Sequence, residues 1–127
     1  MIYRWNIYLV NLDPVIGSEQ GKTRPVLVIS DDDINTILPV INILPITSFK
    51  QGRRVYPNEV LLKKEQSNLD KDSIVLCYQI RTVDKKRLIK KIGEIINDDV
   101  KSDIIDALSF QLGLWSDIGG YYDKFIN

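Results

Sequence analysis

The sequence predicts a mainly β fold, a small and strongly curved sheet or partly closed barrel that one C-terminal helix caps. Several short runs rich in apolar and β-branched residues follow one another closely before residue 97, which is typical of strands. After that position the apolar residues recur at helical spacing. The connections between the runs are too short for crossover helices, so a doubly wound parallel sheet is not expected.

Six segments have the composition of strands, because each is apolar or β-branched and is bounded by turn residues. Asp13 and Pro14 form a turn after the first strand, and Pro45 limits pairing near the end of the third. The second strand is apolar on both faces and is therefore expected to be buried. The predicted strands span 7–12, 25–30, 40–47, 59–62, 73–80 and, as a short last strand, 91–95.

One amphipathic helix is predicted from about residue 98 to about residue 115. Asn97 is a suitable N-cap, and the carboxylates of the first turn suit the positive end of the helix dipole. The glycine pair at 119–120 breaks the helix, and residues 116–127 form a tail that contains several aromatic residues. We expect one domain over 1–127, with the barrel at about 1–96. The apolar positions of the helix are Val100, Ile104, Ala107, Leu108, Leu114 and Trp115.

Composition narrows the class of protein. A chain of 127 residues with 44% hydrophobic residues has the size of one domain with its own core. The N-terminus does not resemble a signal peptide and no apolar run reaches membrane-spanning length, so we expect a soluble cytoplasmic protein without membrane contact. Cys77 is the one cysteine and has apolar neighbours, which favours a buried structural thiol. Histidine, the commonest general base and metal ligand, does not occur in the sequence.

Charge is unevenly distributed although the formal net charge is zero. Residues 1–93 contain fifteen Lys and Arg against ten Asp and Glu, and residues 94–127 contain two against seven. This asymmetry suggests a basic working face and an acidic C-terminal surface. The acidic run at 31–33 suits the start of a helix or turn better than a metal site, because three consecutive carboxylates do not converge on one ion.

The segment 17–30, GSEQGKTRPVLVIS, contains Gly-Lys-Thr without the rest of a phosphate-binding P-loop. Three residues instead of four separate Gly17 from Gly21, and a strand follows where a P-loop has a helix. Nucleotide binding is therefore not expected. The loop instead places Arg24, whose planar guanidinium suits phosphate, at the start of a strand. An ordinary surface ion pair between Arg24 and Glu19 is the alternative.

Four segments, in this order and spacing, resemble the MazF/PemK family of toxin endoribonucleases. They are the first strand with its Asp13-Pro14 turn, the loop 17–30, the strand end at 45–48, PITS, and the segment 77–88, CYQIRTVDKKRL. The resemblance covers almost the whole chain up to Leu88. It implies a small SH3-like β-barrel that forms a homodimer and cleaves single-stranded RNA at short sequences without a metal or other cofactor. It also implies an antitoxin protein that blocks the groove.

The resemblance assigns roles to individual residues. Arg24 matches the arginine that contacts the scissile phosphate, and Thr47 matches the residue that hydrogen-bonds it. Arg81 either binds a neighbouring phosphate or serves the structure. RNA carries its own nucleophile, the 2′-hydroxyl, so such an enzyme has to align the chain, stabilise charge and manage protons. The family loop that borders the RNA groove is matched by Ser18, Glu19, Gln20 and Gly21. Gln79 matches a residue beside the site.

Two basic runs are further candidates for phosphate contacts. Lys50 and Arg53 follow Thr47 closely in the chain, so they are the better candidates for RNA binding. The run from Lys85 to Lys91 is expected to be an ordinary solvated face.

Tyr78 marks a departure from the family pattern. Some members have a carboxylate at this position as the proposed general base, whereas a phenol is a poor base at neutral pH and is better suited to stack on a nucleobase or to act as an acid. The general base is therefore open, with Glu19 as a substitute. An endoribonuclease toxin is the preferred function. The alternatives are a non-enzymatic toxin of the same fold that binds a protein such as DNA gyrase, and a catalytically weakened RNA-binding relative.

Overall fold

Seven β-strands and two α-helices form residues 1–114, the part of the chain that this computed structural model describes. The predicted class, mainly β with a C-terminal helix, is confirmed. Short 3₁₀ turns at Lys64–Gln66, Cys77–Gln79 and Lys85–Arg87 connect the later strands. In chain order the elements are β1 (Asn6–Asn11), β2 (Thr23–Val28), α1 (Asp32–Ile37), β3 (Val40–Ser48), β4 (Glu59–Leu62), β5 (Ser73–Leu76), β6 (Arg81–Asp84), β7 (Leu88–Glu94) and α2 (Asp98–Leu112).

All strand pairs are antiparallel, and their order is β4-β5-β3-β2-β1-β7, with β6 also paired to β3. Strand β3 is shared, because its first part pairs with β6, its middle with β2 and its last three residues with β5. The change to β5 follows Pro45, which has no N–H to continue a ladder. Within residues 1–114 the end strands β4 and β7 do not pair. The sheet is therefore open, and the closed SH3-like barrel is not confirmed.

Both faces of the central strands are buried. Leu27 of β2 belongs to a hydrophobic cluster that α2 covers through Ile104, whereas its neighbours Val26 and Val28 belong to a second cluster. Successive side chains of a strand point to opposite faces, so the prediction of a buried second strand is confirmed. Cys77 is fully buried in the first cluster, as predicted for a structural thiol, and burial raises its pKa to about 12.

The predicted strands are all present, but their ends differ from the prediction. The strand predicted at 73–80 ends at Leu76, because Cys77–Gln79 form a 3₁₀ turn. Arg81–Asp84 form β6, a strand that was not predicted from the sequence. Its pairing with Val40–Ile43 is a tertiary contact, and no local pattern in the sequence displays it. The last strand begins at Leu88 instead of residue 91.

Both helices begin with a side-chain cap. Asp31 accepts the backbone N–H of Asp33 at 2.9 Å, so the acidic run starts α1 as predicted. Asn97 accepts the N–H of Val100 at 3.0 Å and caps α2, which confirms the predicted N-cap.

The end of α2 differs from the prediction. The helix ends at Leu112 instead of residue 115, because Gly113 adopts a left-handed φ of 71° and its N–H bonds to the carbonyl oxygen of Phe110. Trp115, the glycine pair at 119–120 and the tail 116–127 lie outside the described residues. Neither α1 nor α2 has the length and apolar character that a membrane crossing requires.

Candidate functional site

Arg24 and Thr47 line one cavity of about 310 Å³ beside the paired region of β2 and β3. The last register pair of these strands is Val26 opposite Pro45, and Arg24 and Thr47 each lie two residues further along. Residues at this spacing share a face of the sheet, so the antiparallel pairing brings the two predicted catalytic residues together. Both side chains are partly buried.

One backbone contact orients the Arg24 guanidinium. Its Nε donates a hydrogen bond of 2.8 Å to the carbonyl oxygen of Gly21. Among residues 1–114 no hydrogen bond or ion pair engages its two terminal Nη groups. The alternative ion pair with Glu19 is not formed among these residues, and Glu19 Oε1 instead accepts the N–H of Ile16 at 2.6 Å. The fork of Arg24 is therefore left for a ligand in the cavity.

Lys22, Ser48 and Ser73 line the same cavity and are additional to the predicted site residues. Lys22 is exposed and adopts a φ of 65°, and its backbone N–H donates to Asp13 Oδ1 at 2.8 Å. Lys22 immediately precedes β2, and its proximity to Arg24 in the chain is the sequence signal that could have grouped the two cations. The Gly-Lys-Thr tripeptide thus contributes a cation to the site, although it is not a P-loop.

The cavity has a positive lining. Lys22 and Arg24 are the charged side chains that line it within the described part of the chain, which places no Asp or Glu there. Nor do residues 1–114 contain a group of three His, Cys, Asp or Glu side chains arranged to hold a metal ion. The arrangement is suited to bind a phosphate, since a guanidinium fork and an ammonium group both donate charge-assisted hydrogen bonds.

The side chain of Gln79 bonds to backbone groups of the loop between β1 and β2. Its side-chain Nε2 donates to the carbonyl oxygen of Ser18 at 3.2 Å, and its Oε1 accepts the N–H of Gln20 at 3.4 Å. The resemblance predicts Gln79 beside the site, and the structure bonds its amide to the predicted groove loop. Ser18 and Glu19 are exposed, whereas the Oε1 atom of Gln20 is buried and has no hydrogen-bond partner among residues 1–114.

Gly21 lies where the loop folds against the end of β1. A Cβ atom at this position would lie 2.7 Å from both Asp13 Oδ1 and Val15 Cγ2. Real Cβ atoms essentially never make such short contacts, so a side chain here requires the loop to move. The predicted loop residue Gly21 therefore supports the site through close packing and through the carbonyl oxygen that Arg24 uses.

Two arginines that follow Gln79 bond to the same end of β1. Arg81 Nη1 donates to the carbonyl oxygen of Leu12 at 3.1 Å. Arg87 Nη1 donates to the carbonyl oxygens of Asn11 at 3.2 Å and Asp13 at 2.6 Å. The segment 77–88 therefore anchors the β1–β2 loop, which explains part of the basic charge that the sequence shows there.

Tyr78 and Arg53 line a different cavity, of about 440 Å³, which Phe110 of α2 also lines. They do not line the cavity of Arg24 and Thr47. Tyr78 is exposed, with 39% of its surface accessible. The structure thus separates the predicted residues between the basic cavity of Arg24 and Thr47 and a second cavity with aromatic walls.

The charge of Arg53 is compensated. Its guanidinium bonds to both carboxylate oxygens of Glu59, at 2.9 and 3.1 Å. These bonds lower the pKa of Glu59 and raise that of Arg53. Lys50 belongs to the same turn, since its carbonyl oxygen accepts the N–H of Arg53 at 3.0 Å, and its side chain is exposed. Of the two predicted RNA contacts in this turn, Lys50 is the uncompensated cation.

Comparison with known proteins agrees with this arrangement. A family model described as PemK-like, MazF-like toxin of type II toxin-antitoxin system matches residues 3–112. A solved structure of MazF from Deinococcus radiodurans is 29% identical, has a TM-score of 0.73 and aligns over 88% of this chain and 96% of its own. A MazE–MazF structure from the same organism is 28% identical, with a TM-score of 0.68 over 89% of this chain and 96% of its own.

A structure described as an endoribonuclease in complex with its cognate antitoxin, from a mycobacterial species, has the same fold. It is 23% identical, has a TM-score of 0.73, and aligns over 90% of this chain and 97% of its own. The family match covers most of the chain and includes both strands that carry Arg24 and Thr47. The chain therefore belongs to the family of PemK-like, MazF-like toxins of type II toxin–antitoxin systems.

Proposed function

We propose that this chain is a sequence-specific, metal-independent endoribonuclease that cleaves single-stranded messenger RNA. The observation that carries the proposal is the basic cavity in which Lys22, Arg24 and Thr47 meet. Its cations suit a phosphodiester, and the hydroxyl of Thr47 is a further hydrogen-bond donor. The MazF family match and the mycobacterial endoribonuclease of the same fold support this reading.

The proposed reaction uses the 2′-hydroxyl of the RNA as the nucleophile. The 2′-oxygen forms a bond to the adjacent phosphorus, the bond from phosphorus to the 5′-oxygen breaks, and a 2′,3′-cyclic phosphate and a 5′-hydroxyl result. The 2′-hydroxyl loses one proton and the departing 5′-oxygen gains one, so the step is balanced. The two free Nη groups of Arg24 bind the non-bridging oxygens, on which negative charge grows in the transition state.

The chain's proposed contribution is alignment and charge stabilisation, with proton transfer assigned to solvent. Within residues 1–114 no carboxylate lines the cavity. Glu19 stands on the neighbouring loop, but its Oε1 is engaged by the N–H of Ile16. Tyr78 lines the second cavity. Neither residue is therefore assigned as the general base.

We also propose that the protein acts as a cytoplasmic homodimer and that a cognate antitoxin blocks its RNA groove. The antitoxin is supported by the neighbours solved with one, the mycobacterial complex and the MazE–MazF structures of Deinococcus radiodurans, whereas the homodimer and the location rest on the family resemblance. The proposed groove runs past the β1–β2 loop and continues to Lys50, whose exposed charge offers a second phosphate contact.

The experiment is the mapping of cut ends on a long RNA by purified protein in EDTA. We expect cuts at one short sequence, with 2′,3′-cyclic phosphate ends, and at least a hundredfold loss of rate in Arg24→Ala. Lys64→Ala, which removes an exposed cation that does not line the cavity, is the matched control and should cleave normally. Cleavage that survives a 2′-deoxy substitution at the cut site would overturn the mechanism.

Two other outcomes would replace the proposed activity. Tight RNA binding with no product after prolonged incubation would identify a catalytically weakened relative. Inhibition of DNA gyrase by Arg24→Ala, together with no cleavage by the parent protein, would identify a toxin that acts on a protein target.

A further inference from the structure

The β1–β2 loop has little apolar packing of its own. Ile16 is 84% exposed, and Ser18 and Glu19 are also exposed. The buried Oε1 of Gln20 has no partner within the described residues, and an unsatisfied buried acceptor opposes the conformation that buries it. Within the loop, Ile16 and Glu19 bond to each other, and the side chain of Gln79 adds hydrogen bonds to Ser18 and Gln20 from outside it.

We propose that Gln79 is a positioning residue that acts on Arg24 through this loop, an inference that rests on the proposed endoribonuclease function. One amide supplies both bonds, since Nε2 donates to Ser18 and Oε1 accepts from Gln20. We call these two hydrogen bonds the Gln79 clamp. Gln79 lies in the 3₁₀ turn that begins with the fully buried Cys77, so the hydrophobic core fixes the position of the clamp.

The clamp connects to Arg24 through the next residue of the loop. Gly21 follows Gln20 directly, and its carbonyl oxygen accepts the hydrogen bond from Arg24 Nε. On the other side of Gly21 the N–H of Lys22 bonds to Asp13. The carbonyl group of Gly21 is thus held between two bonded peptide N–H groups, and it orients the guanidinium in turn. Without Gln79 the bond at the N–H of Gln20 is lost, and of these two restraints only the bond from the N–H of Lys22 to Asp13 remains.

Glutamine is the side chain that satisfies both loop contacts. Glutamate has the same length but no N–H donor, so it places a carboxylate oxygen against the Ser18 carbonyl oxygen. Alanine removes both bonds. Gln66 provides a matched control, because its side-chain Oε1 accepts the backbone N–H of Lys63 at 3.0 Å in a separate turn. Gln66→Ala therefore deletes a comparable bond away from Arg24.

The first test is spectroscopic and independent of activity. The Nε–Hε group of Arg24 is observed by ¹⁵N NMR on the full chain, and its exchange with water is compared among the parent, Gln79→Ala, Gln79→Glu and Gln66→Ala. We expect exchange on the order of tenfold faster in both Gln79 variants, which corresponds to the loss of about one net hydrogen bond. Gln66→Ala should match the parent. Unchanged exchange in Gln79→Ala would overturn the clamp.

The second test separates positioning from direct RNA contact. With a short RNA that contains the mapped site, Gln79→Ala should lower kcat on the order of tenfold or more while KM stays within about twofold of the parent value. An increase in KM at constant kcat would overturn the positioning role and assign Gln79 to RNA binding. If the parent protein does not cleave RNA, the proposed function fails, whereas the Arg24 exchange experiment still decides whether the clamp exists.

Discussion

Arg53 and Glu59 form a bidentate ion pair, in which Nη2 lies 2.9 Å from Oε2 and Nη1 lies 3.1 Å from Oε1. The Glu59 side chain is only 2% exposed, and its Oε1 also accepts the N–H of Tyr56 at 3.0 Å. Arg53 Nη1 further donates to the carbonyl oxygen of Arg54 at 2.7 Å. The pair therefore organises the chain between β3 and β4 instead of leaving Arg53 free for RNA.

Removal of Arg53 should destabilise the protein. We expect Arg53→Ala to lower the free energy of unfolding by about 2 kcal/mol, because it leaves the buried carboxylate of Glu59 without its counter-ion. The other ion pair among residues 1–114, Lys91 with Glu94, has both side chains over two-fifths exposed and an N–O distance of 3.8 Å. Lys91→Ala should therefore stay within about 0.5 kcal/mol of the parent. Urea unfolding at pH 7 measures both, and equal losses would contradict the assignment.

The same pair predicts a pH dependence of stability. Hydrogen bonding to Arg53 lowers the pKa of Glu59 in the folded state. A lowered folded-state pKa contributes stability above the unfolded value of about 4.3, and this contribution is lost as the pH falls through the folded value. The stability gap between the parent and Arg53→Ala should therefore narrow below about pH 4. Urea unfolding from pH 7 to pH 3 tests this, with Glu59→Gln as the control that has no carboxyl to titrate.

Substitution of the two exposed lysines near the proposed RNA groove should affect cleavage in different ways. Lys22 lines the cavity of Arg24, so Lys22→Ala should slow single-turnover cleavage about tenfold and Lys22→Arg should recover most of the rate. Lys50 lies outside that cavity, so Lys50→Ala should mainly raise KM and reduce the salt dependence of binding by about one unit of log–log slope. A larger loss of kcat in Lys50→Ala than in Lys22→Ala would contradict these roles.

Two glycines allow loop geometry to be separated from global stability. In Gly21→Ala the new Cβ contacts side-chain atoms of Asp13 and Val15, and the exposed loop can move to relieve the contact. Cleavage should therefore fall at least about tenfold, while the free energy of unfolding changes by about 1 kcal/mol or less. Gly93 is buried in β7, where a Cβ would collide with the carbonyl oxygen of Ser67. Gly93→Ala should therefore cost about 3 kcal/mol. Thermal unfolding and cleavage assays on both variants give the comparison, and a stable, fully active Gly21→Ala would contradict the loop's role.

Cys77 should behave as a buried thiol without catalytic function. Burial raises its pKa to about 12, so the folded protein holds it as the unreactive neutral thiol at pH 8. A chromogenic disulfide reagent should therefore modify it at the rate of unfolding. Cys77→Ser should destabilise by about 1–3 kcal/mol more than Cys77→Ala does, because it buries a hydroxyl. Rapid modification of the folded protein at pH 8 would contradict this burial.

Local patterns were sufficient for much of the framework. Alternating and β-branched residues predicted each strand except β6, and Asn97 predicted the start of α2. Motif resemblance identified Arg24 and Thr47, and the antiparallel pairing of β2 with β3 places them at one cavity. Lys22 was not predicted as a site residue, because its position in the cavity depends on the left-handed turn at Lys22 and on the pairing of β2 with β3, which no local pattern displays.

The sequence by itself determined most of the extended segments and where the helices begin, because these properties depend on neighbouring residues, and its motifs marked Arg24 and Thr47. Only the tertiary structure decided which polar groups remain available. In the folded chain Arg53 pairs with Glu59, Arg81 donates to the carbonyl oxygen of Leu12, and Gln79 bonds to the loop that orients Arg24. Most of these partners lie far apart in the chain, and hydrogen bonds require atoms within about 3 Å, so only the packed strands could select them.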